Sequence, residues 1–262
     1  MTPGFLLEHP ILIIVAHPDD ETIALGGQFQ FLGDLFVIHV TDGVVRGAAA
    51  REEHAAIRRN ELHTAMDLAG VPVERRLELG AEDQGTVFRM AELTWRLALL
   101  MEQIRPRIAI THPYEGGHPD HDSCAFLVQH AVSLLEARRL PVPRRFEFAS
   151  YHNGTPHSDT PSLRTGEFLS DEAVETSVLS DEARRRKQRM LDCFVSQRDM
   201  LKNFRVDVEK FRHAPMYDFS RAPHEGTLFY DPQGWGVTAR EWLDLASKAL
   251  LDLDLLPAHE PG

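Results

Sequence analysis

Short apolar runs alternate with longer stretches of helical period along this chain. Ile11 to Ala16 is apolar and largely β-branched, the composition of a strand buried on both faces of a parallel sheet. It must end at His17, because Pro18 cannot donate to a strand ladder. Asp19, Asp20 and Glu21 then crowd the first turn of a helix, expected over Thr22 to Phe31, where free N–H groups favour acidic side chains. Leu35 to Val40 predicts a second strand, ending at Thr41-Asp42-Gly43. Arg51 to Leu68 has helical spacing in Leu62, Ala65 and Met66, and is stopped by Gly70 and Pro72. Arg58 and Glu61 share a face of it and read as a surface ion pair. Leu77 to Leu79 predicts a short third strand, with Glu82 to Gly85 a loop. Val87 to Ile104 is an amphipathic helix, Arg107 to Thr111 a fourth strand and Ser123 to Leu140 a further helix.

The second half is less regular. Phe146 to Tyr151 and Glu175 to Leu179 read as strands, with a loop from His152 to Ser162 between them. Asp181 to Asn203 reads as one helix, on which Arg184 to Lys187 form a solvated face. From Phe204 to Trp235 aromatics alternate with prolines and glycines, and no single period fits. That density implies an arm wrapped over the domain, closing a pocket or making a subunit contact. His224 is the one candidate site residue on it. Thr238 to Glu241 is a capping box that opens a last helix to about Leu251. The alternation of strand and helix predicts an α/β, Rossmann-like three-layer fold with a mostly parallel sheet. A single domain is expected over 1–262, with a core in 1–150 and added strands, helices and the arm in 151–262.

Composition narrows the function. A net charge of −12 argues against a general nucleic-acid grip, which needs a basic surface. The two cysteines, Cys124 and Cys193, lack metal-type spacing and read as small apolar residues. The N-terminus lacks the pattern of a signal peptide and no run is long enough to span a bilayer, so a cytoplasmic protein is expected. No G-x-G-x-x-G follows a strand and there is no P-loop, so nucleotide cofactors lack their usual phosphate cradle.

The chemistry lies in two polar clusters. His17, Asp19 and Asp20 follow the first strand. His112, Tyr114, His118, Asp120, His121 and Asp122 follow the fourth. A parallel sheet brings both to its C-terminal edge, where open α/β sheets bind ligands. A carboxylate that caps a helix is the plain reading of Asp20. A His, Asp and His set with one open position is what a catalytic zinc requires, and it leaves a carboxylate and a histidine for proton transfer.

The motifs A-H-P-D-D-E (Ala16 to Glu21) and H-P-D-H (His118 to His121), about a hundred residues apart, resemble those of the zinc-dependent N-acetylglucosaminyl deacetylases of the PIG-L/LmbE family. The likeness covers the first 150 residues or so, with an echo in Lys187 and Ser196-Gln197. It implies Zn²⁺, with Fe²⁺ the alternative, on His17, Asp20 and His121. It implies Asp19 as general base, a protonated His118 as oxyanion stabiliser and acid, and Asp120 as the partner that orients His118. Arg58 stands where many members contact substrate. Members often carry a tyrosine two residues before the oxyanion histidine; Gly116 holds that place here, and Tyr114 is the nearest candidate. The expected reaction is hydrolysis of the N-acetyl group of a small amino-sugar conjugate, by a protein that can be a homo-oligomer. Another metal-dependent amidase or esterase, or a carbohydrate-binding protein without turnover, are the rival readings.

Overall fold

The computed structural model describes residues 2–154 and 163–255. The first strand, β1 (Ile11–Val15), lies between β2 (Leu35–Val45) and β4 (Ile108–Thr111) and pairs with both in parallel. β3 (Arg76–Asp83) and β5 (Arg144–Phe148) extend the parallel part on either side. β6 (Tyr151–Asn153) and β7 (Leu163–Thr165) make a separate antiparallel ribbon. β8 (Glu175–Val178) and β9 (Val208–His213) add two antiparallel strands beyond β5, giving the order β3-β2-β1-β4-β5-β9-β8. The helices are α1 (Asp20–Leu25), α2 (Arg51–Ala69), α3 (Met90–Ile104), α4 (Pro119–Ala137), α5 (Asp181–Leu191), α6 (Arg198–Leu201) and α7 (Ala239–Leu255).

Every side chain of β1 is sealed from solvent, and alternate residues feed two cores. Leu12 and Ile14 pack with α3, α4 and α7, while Ile11, Ile13 and Val15 pack with α1, α2 and α5. The sheet is thus a middle layer between two helical ones, as the apolar run of β1 requires. Among the described residues no helix is long and apolar enough to cross a membrane.

Several elements depart from the sequence expectation for identifiable reasons. β2 and β3 run on to Val45 and Asp83 through polar residues, because backbone pairing continues past two register shifts. Asp83 is therefore the last residue of a strand and not part of a loop. The expected helix from Thr22 to Phe31 is α1 plus a single 3-10 turn at Phe29–Phe31. It breaks at Gly26 and Gly27, where a Cβ would lie 2.9 Å from Lys187 Cγ and 2.3 Å from Leu179 Cδ1. The expected helix from Asp181 to Asn203 is divided into α5, a 3-10 turn at Val195–Gln197, and α6. Glu61 holds that turn by accepting from Ser196 N and Oγ, both at 2.7 Å. The helix expected from Ser123 starts earlier, at Pro119, and the strand expected to reach Tyr151 stops at Phe148. The loop expected from His152 lies outside the described residues from 155 to 162.

The larger correction is β9, a strand of the main sheet inside the segment where no period was found. Its inward residues are Glu209 and Phe211, so a buried carboxylate masks the alternation. Its partner is Lys187, from the run read as solvated: Lys187 is buried, with Nζ 3.0 Å from Glu209 Oε1. Arg58 and Glu61 are likewise buried, not on the surface, with Nη1 and Oε2 3.7 Å apart. The capping box forms as read, Thr238 N donating to Glu241 Oε2 at 2.8 Å and Glu241 N to Thr238 Oγ1 at 3.3 Å.

Candidate metal centre

Both polar clusters stand at the C-terminal edge of the parallel strands. After β1, Ala16 N donates to His112 Nε2 at 3.1 Å, and His17 N to Asp20 Oδ2 at 2.8 Å. Asp19 sits at φ 126°, a region that costs a non-glycine residue energy and that recurs at functional sites. The second cluster opens α4. His118 is its N-cap, with Nδ1 accepting from Asp120 N at 3.2 Å, and Pro119 fills the first helical position. Asp122 accepts from Glu115 N and Gly116 N at 3.2 and 3.0 Å, pinning the loop that leads in.

Three donor atoms then converge. His17 Nδ1 is 3.2 Å from Asp20 Oδ2, His121 Nε2 is 3.4 Å from the same oxygen, and the two nitrogens are 3.3 Å apart. Ligands about 2.0–2.1 Å from one ion at tetrahedral angles stand about 3.3–3.4 Å from each other. All three edges fit, and two imidazoles with a carboxylate suit zinc or ferrous iron. The outer nitrogens are also engaged. His17 Nε2 is 3.2 Å from Asp83 Oδ1 and 3.3 Å from Asp120 Oδ2, and His121 Nδ1 is 3.3 Å from Ser150 Oγ. Such outer partners fix the tautomer that turns the lone pair inward. His112 stacks on His121 at 3.8 Å, but its Nε2 lone pair is already taken by Ala16 N–H.

Asp19 and Arg58 stand beside this triad. Burial pushes the Asp19 carboxyl up to about 7, against the pull of the Arg58 guanidinium. Arg58 Nη2 donates to Asp19 Oδ2 at 3.1 Å and to Pro18 O at 2.6 Å, while its Nε and Nη1 find no hydrogen-bond partner among the described residues. Although burial opposes it, His121 and His112 hold Asp20 well below the usual carboxylate range.

His118 and Asp120 stand close by at the start of α4. Burial, reinforced by His17, pushes His118 down to about 3. Its Nδ1 accepts a backbone N–H, which leaves Nε2 as the ring's donor. The Asp120 carboxylate is 3.9 Å from His118 Nδ1, outside hydrogen-bond range. It accepts from Gln84 N at 2.6 Å and Thr86 N at 3.1 Å and faces His17. Asp120 therefore orients His118 through its backbone N–H and His17 through its side chain.

A cavity of about 290 Å³ opens over the triad, with Asp19, Arg58, Asp83 and His118 among its lining. Tyr151, Phe204, Phe229 and Trp235 line its walls, so the aromatic arm helps to form it. Tyr114 and His224 do not line it. Tyr114 is buried, with its hydroxyl donating to Arg221 O at 2.8 Å and its ring against Trp242. His224 Nδ1 accepts from Gly226 N at 3.1 Å. Asp83 was missed. Its position at the end of a parallel strand is the signal that marked the other two clusters, and the third strand was read too short for it to apply.

Residues 12–132 match the family model described as PIG-L, GlcNAc-PI de-N-acetylase. The chain is 29% identical over 165 residues to a probable N-acetyl-alpha-D-glucosaminyl L-malate deacetylase 2 of Bacillus anthracis, covering 57% of this chain and 72% of that one. It is 31% identical over 135 residues to a diacetylchitobiose deacetylase of Thermococcus kodakarensis, covering 47% of this chain and 49% of that one. The solved N,N'-diacetylchitobiose deacetylase of Pyrococcus horikoshii shares the fold at a TM-score of 0.54 and 22% identity, covering 73% of this chain and 72% of that one. A deacetylase triple mutant of the teicoplanin biosynthetic pathway does so at 0.58 and 17%, covering 80% of this chain and 99% of that one. The two histidine-aspartate motifs that meet at one sheet edge both fall within the stretch, a little under half of the chain, that is similar to the PIG-L family.

Proposed function

We propose that this protein is a metal-dependent hydrolase that removes the N-acetyl group from an N-acetylglucosamine-type conjugate. The observation that supports it most is the near-equal spacing of His17, Asp20 and His121 with Asp19 left free beside them. Zinc, or ferrous iron, held by those three would lower the pKa of a water to about 7 and polarise the acetamide carbonyl. Asp19, with a carboxyl near 7, takes the proton of the attacking water. Arg58 Nη2 fixes the carboxylate oxygen it bonds. His118 presents Nε2–H as a neutral donor to the oxyanion, where a preorganised donor has most effect. The proton on Asp19 then passes to the departing amine, so no second acid is needed. The proposed substrates are small N-acetylated sugar conjugates, as the names of the relatives suggest.

Metal analysis together with acetate release from N-acetylglucosamine conjugates tests this reading. Asp19→Asn should lower kcat by about 10²- to 10⁴-fold with one bound metal retained. Full turnover by that variant would remove Asp19 from the role. A metal-free protein that still releases acetate would end the metal-dependent reading.

A further inference from the structure

The charged groups of the cavity lie at the sheet edge, and its outer wall is neutral: Ile23, Met200, Leu201, Phe204, Phe229 and Trp235. Across a border formed by Gly43, Arg58 and Gln197 lies a second cavity of about 330 Å³ that shares those three residues with the first. Val44, Val45, Ala48 and Ile57 line it. Three apolar side chains at this place face water: Val45 and Ile57 are each 42% exposed, and Val195, next to the border, is 60% exposed. No lysine lines either cavity, and the basic side chains on the second are the buried Arg58, bonded to Asp19 through Nη2, and the exposed His54. An aglycone extending from the first cavity would meet chiefly the aliphatic side chains of Val44, Val45, Ala48 and Ile57. A polyol would exchange water for carbon.

We propose that this second cavity binds the aglycone of the substrate, and that the preferred substrates are N-acetylated amino sugars linked to an aliphatic chain. The proposal rests on the deacetylase reading and narrows it. The sugar occupies the aromatic-walled cavity with its acetamide over the metal centre. The chain leaves across Gly43 and Gln197 and covers Val45 and Ile57. That the two cavities share Gly43, Arg58 and Gln197 favours a segment of the substrate over a separate partner.

The test compares octyl and methyl glycosides of N-acetylglucosamine on the metal-loaded enzyme, below the concentration at which the octyl compound forms micelles. Burial of several methylenes should raise kcat/KM for the octyl compound at least about tenfold over the methyl one. Ile57→Glu, a change on an exposed helix face, should bring that ratio close to one. Equal rates for the two glycosides would overturn the proposal and leave the deacetylase reading standing. Should neither glycoside release acetate, the deacetylase reading fails, and calorimetric titration with octyl glucoside judges the cavity on its own. Tighter binding to wild type than to Ile57→Glu then supports an alkyl site, and equal binding overturns it. If Ile57→Glu instead dissolves a dimer in sedimentation velocity and leaves the ratio unchanged, the face joins two copies of the chain and the proposal falls.

Discussion

Lys187 Nζ lies 3.0 Å from Glu209 Oε1 with both side chains sealed from solvent, and this pair holds the far end of the short helix that begins at Asp20. Nζ also donates to Ile23 O at 2.7 Å, and Glu209 Oε1 accepts from Gly27 N at 2.8 Å. The ammonium and carboxylate thereby tie α5 and β9 to both ends of the short stretch that closes α1, whose first residue is Asp20. Lys187→Met leaves a buried carboxylate without its cation and should destabilise the fold by about 3–5 kcal/mol. Adding Glu209→Leu should recover much of that loss. Urea denaturation of the three proteins reads this directly, and a single variant as stable as wild type would contradict it.

Asp83 faces the outer nitrogen of His17 at 3.2 Å and that of His118 at 3.6 Å. Removing its charge weakens the hold on the His17 tautomer that turns Nδ1 toward Asp20 and His121, where the proposed metal would sit. Asp83→Asn should therefore lower metal affinity about 10- to 100-fold, measured by competition with a chelator of known affinity. An unchanged affinity would mean that Asp120, at 3.3 Å from the same nitrogen, suffices alone.

Gly117 admits no side chain, because a Cβ there would stand 1.8 Å from Tyr151 O. Backbone meets backbone at that point, so neither side can yield as a flexible side chain would. Gly117→Ala should cost at least about 1–3 kcal/mol and displace the neighbouring His118. A thermal melt with a metal-binding assay should show both losses together; retention of both would show that the loop relaxes freely.

Glu147 supplies a pH dependence away from the histidine clusters. Burial pushes its carboxyl up to about 7, opposed by Arg212, whose Nε donates to Glu147 Oε2 at 2.9 Å. A carboxyl raised in the folded state binds its proton more tightly there than in the unfolded chain. Its contribution to stability is whole below the ordinary value near 4.5 and is lost as pH rises through 7. Glu147→Gln should flatten the decline of Tm between pH 5 and 7.5. A decline as steep as in wild type would assign the dependence to other groups.

Much of this molecule was determined by sequence alone. The apolar run of β1, the proline that stops it and the repeat of that pattern before His112 are local signals. Hydrophobic period reports them, because a strand buried on both faces must be apolar throughout. From them came the three-layer fold and the two loops that meet at one edge, with His17, Asp20 and His121 in one cluster. What only the tertiary structure decided are contacts in which a polar residue is buried by a distant partner. Glu209 reads as surface until Lys187 is opposite it, so β9 stayed hidden. Asp83 reads as a loop acid until β2 continues alongside it. Tyr114 reads as a site residue until Trp242 and Arg221 are seen to hold it elsewhere. Sequence period records which side chains avoid water; it carries no record of which distant partner lets a charged side chain do so.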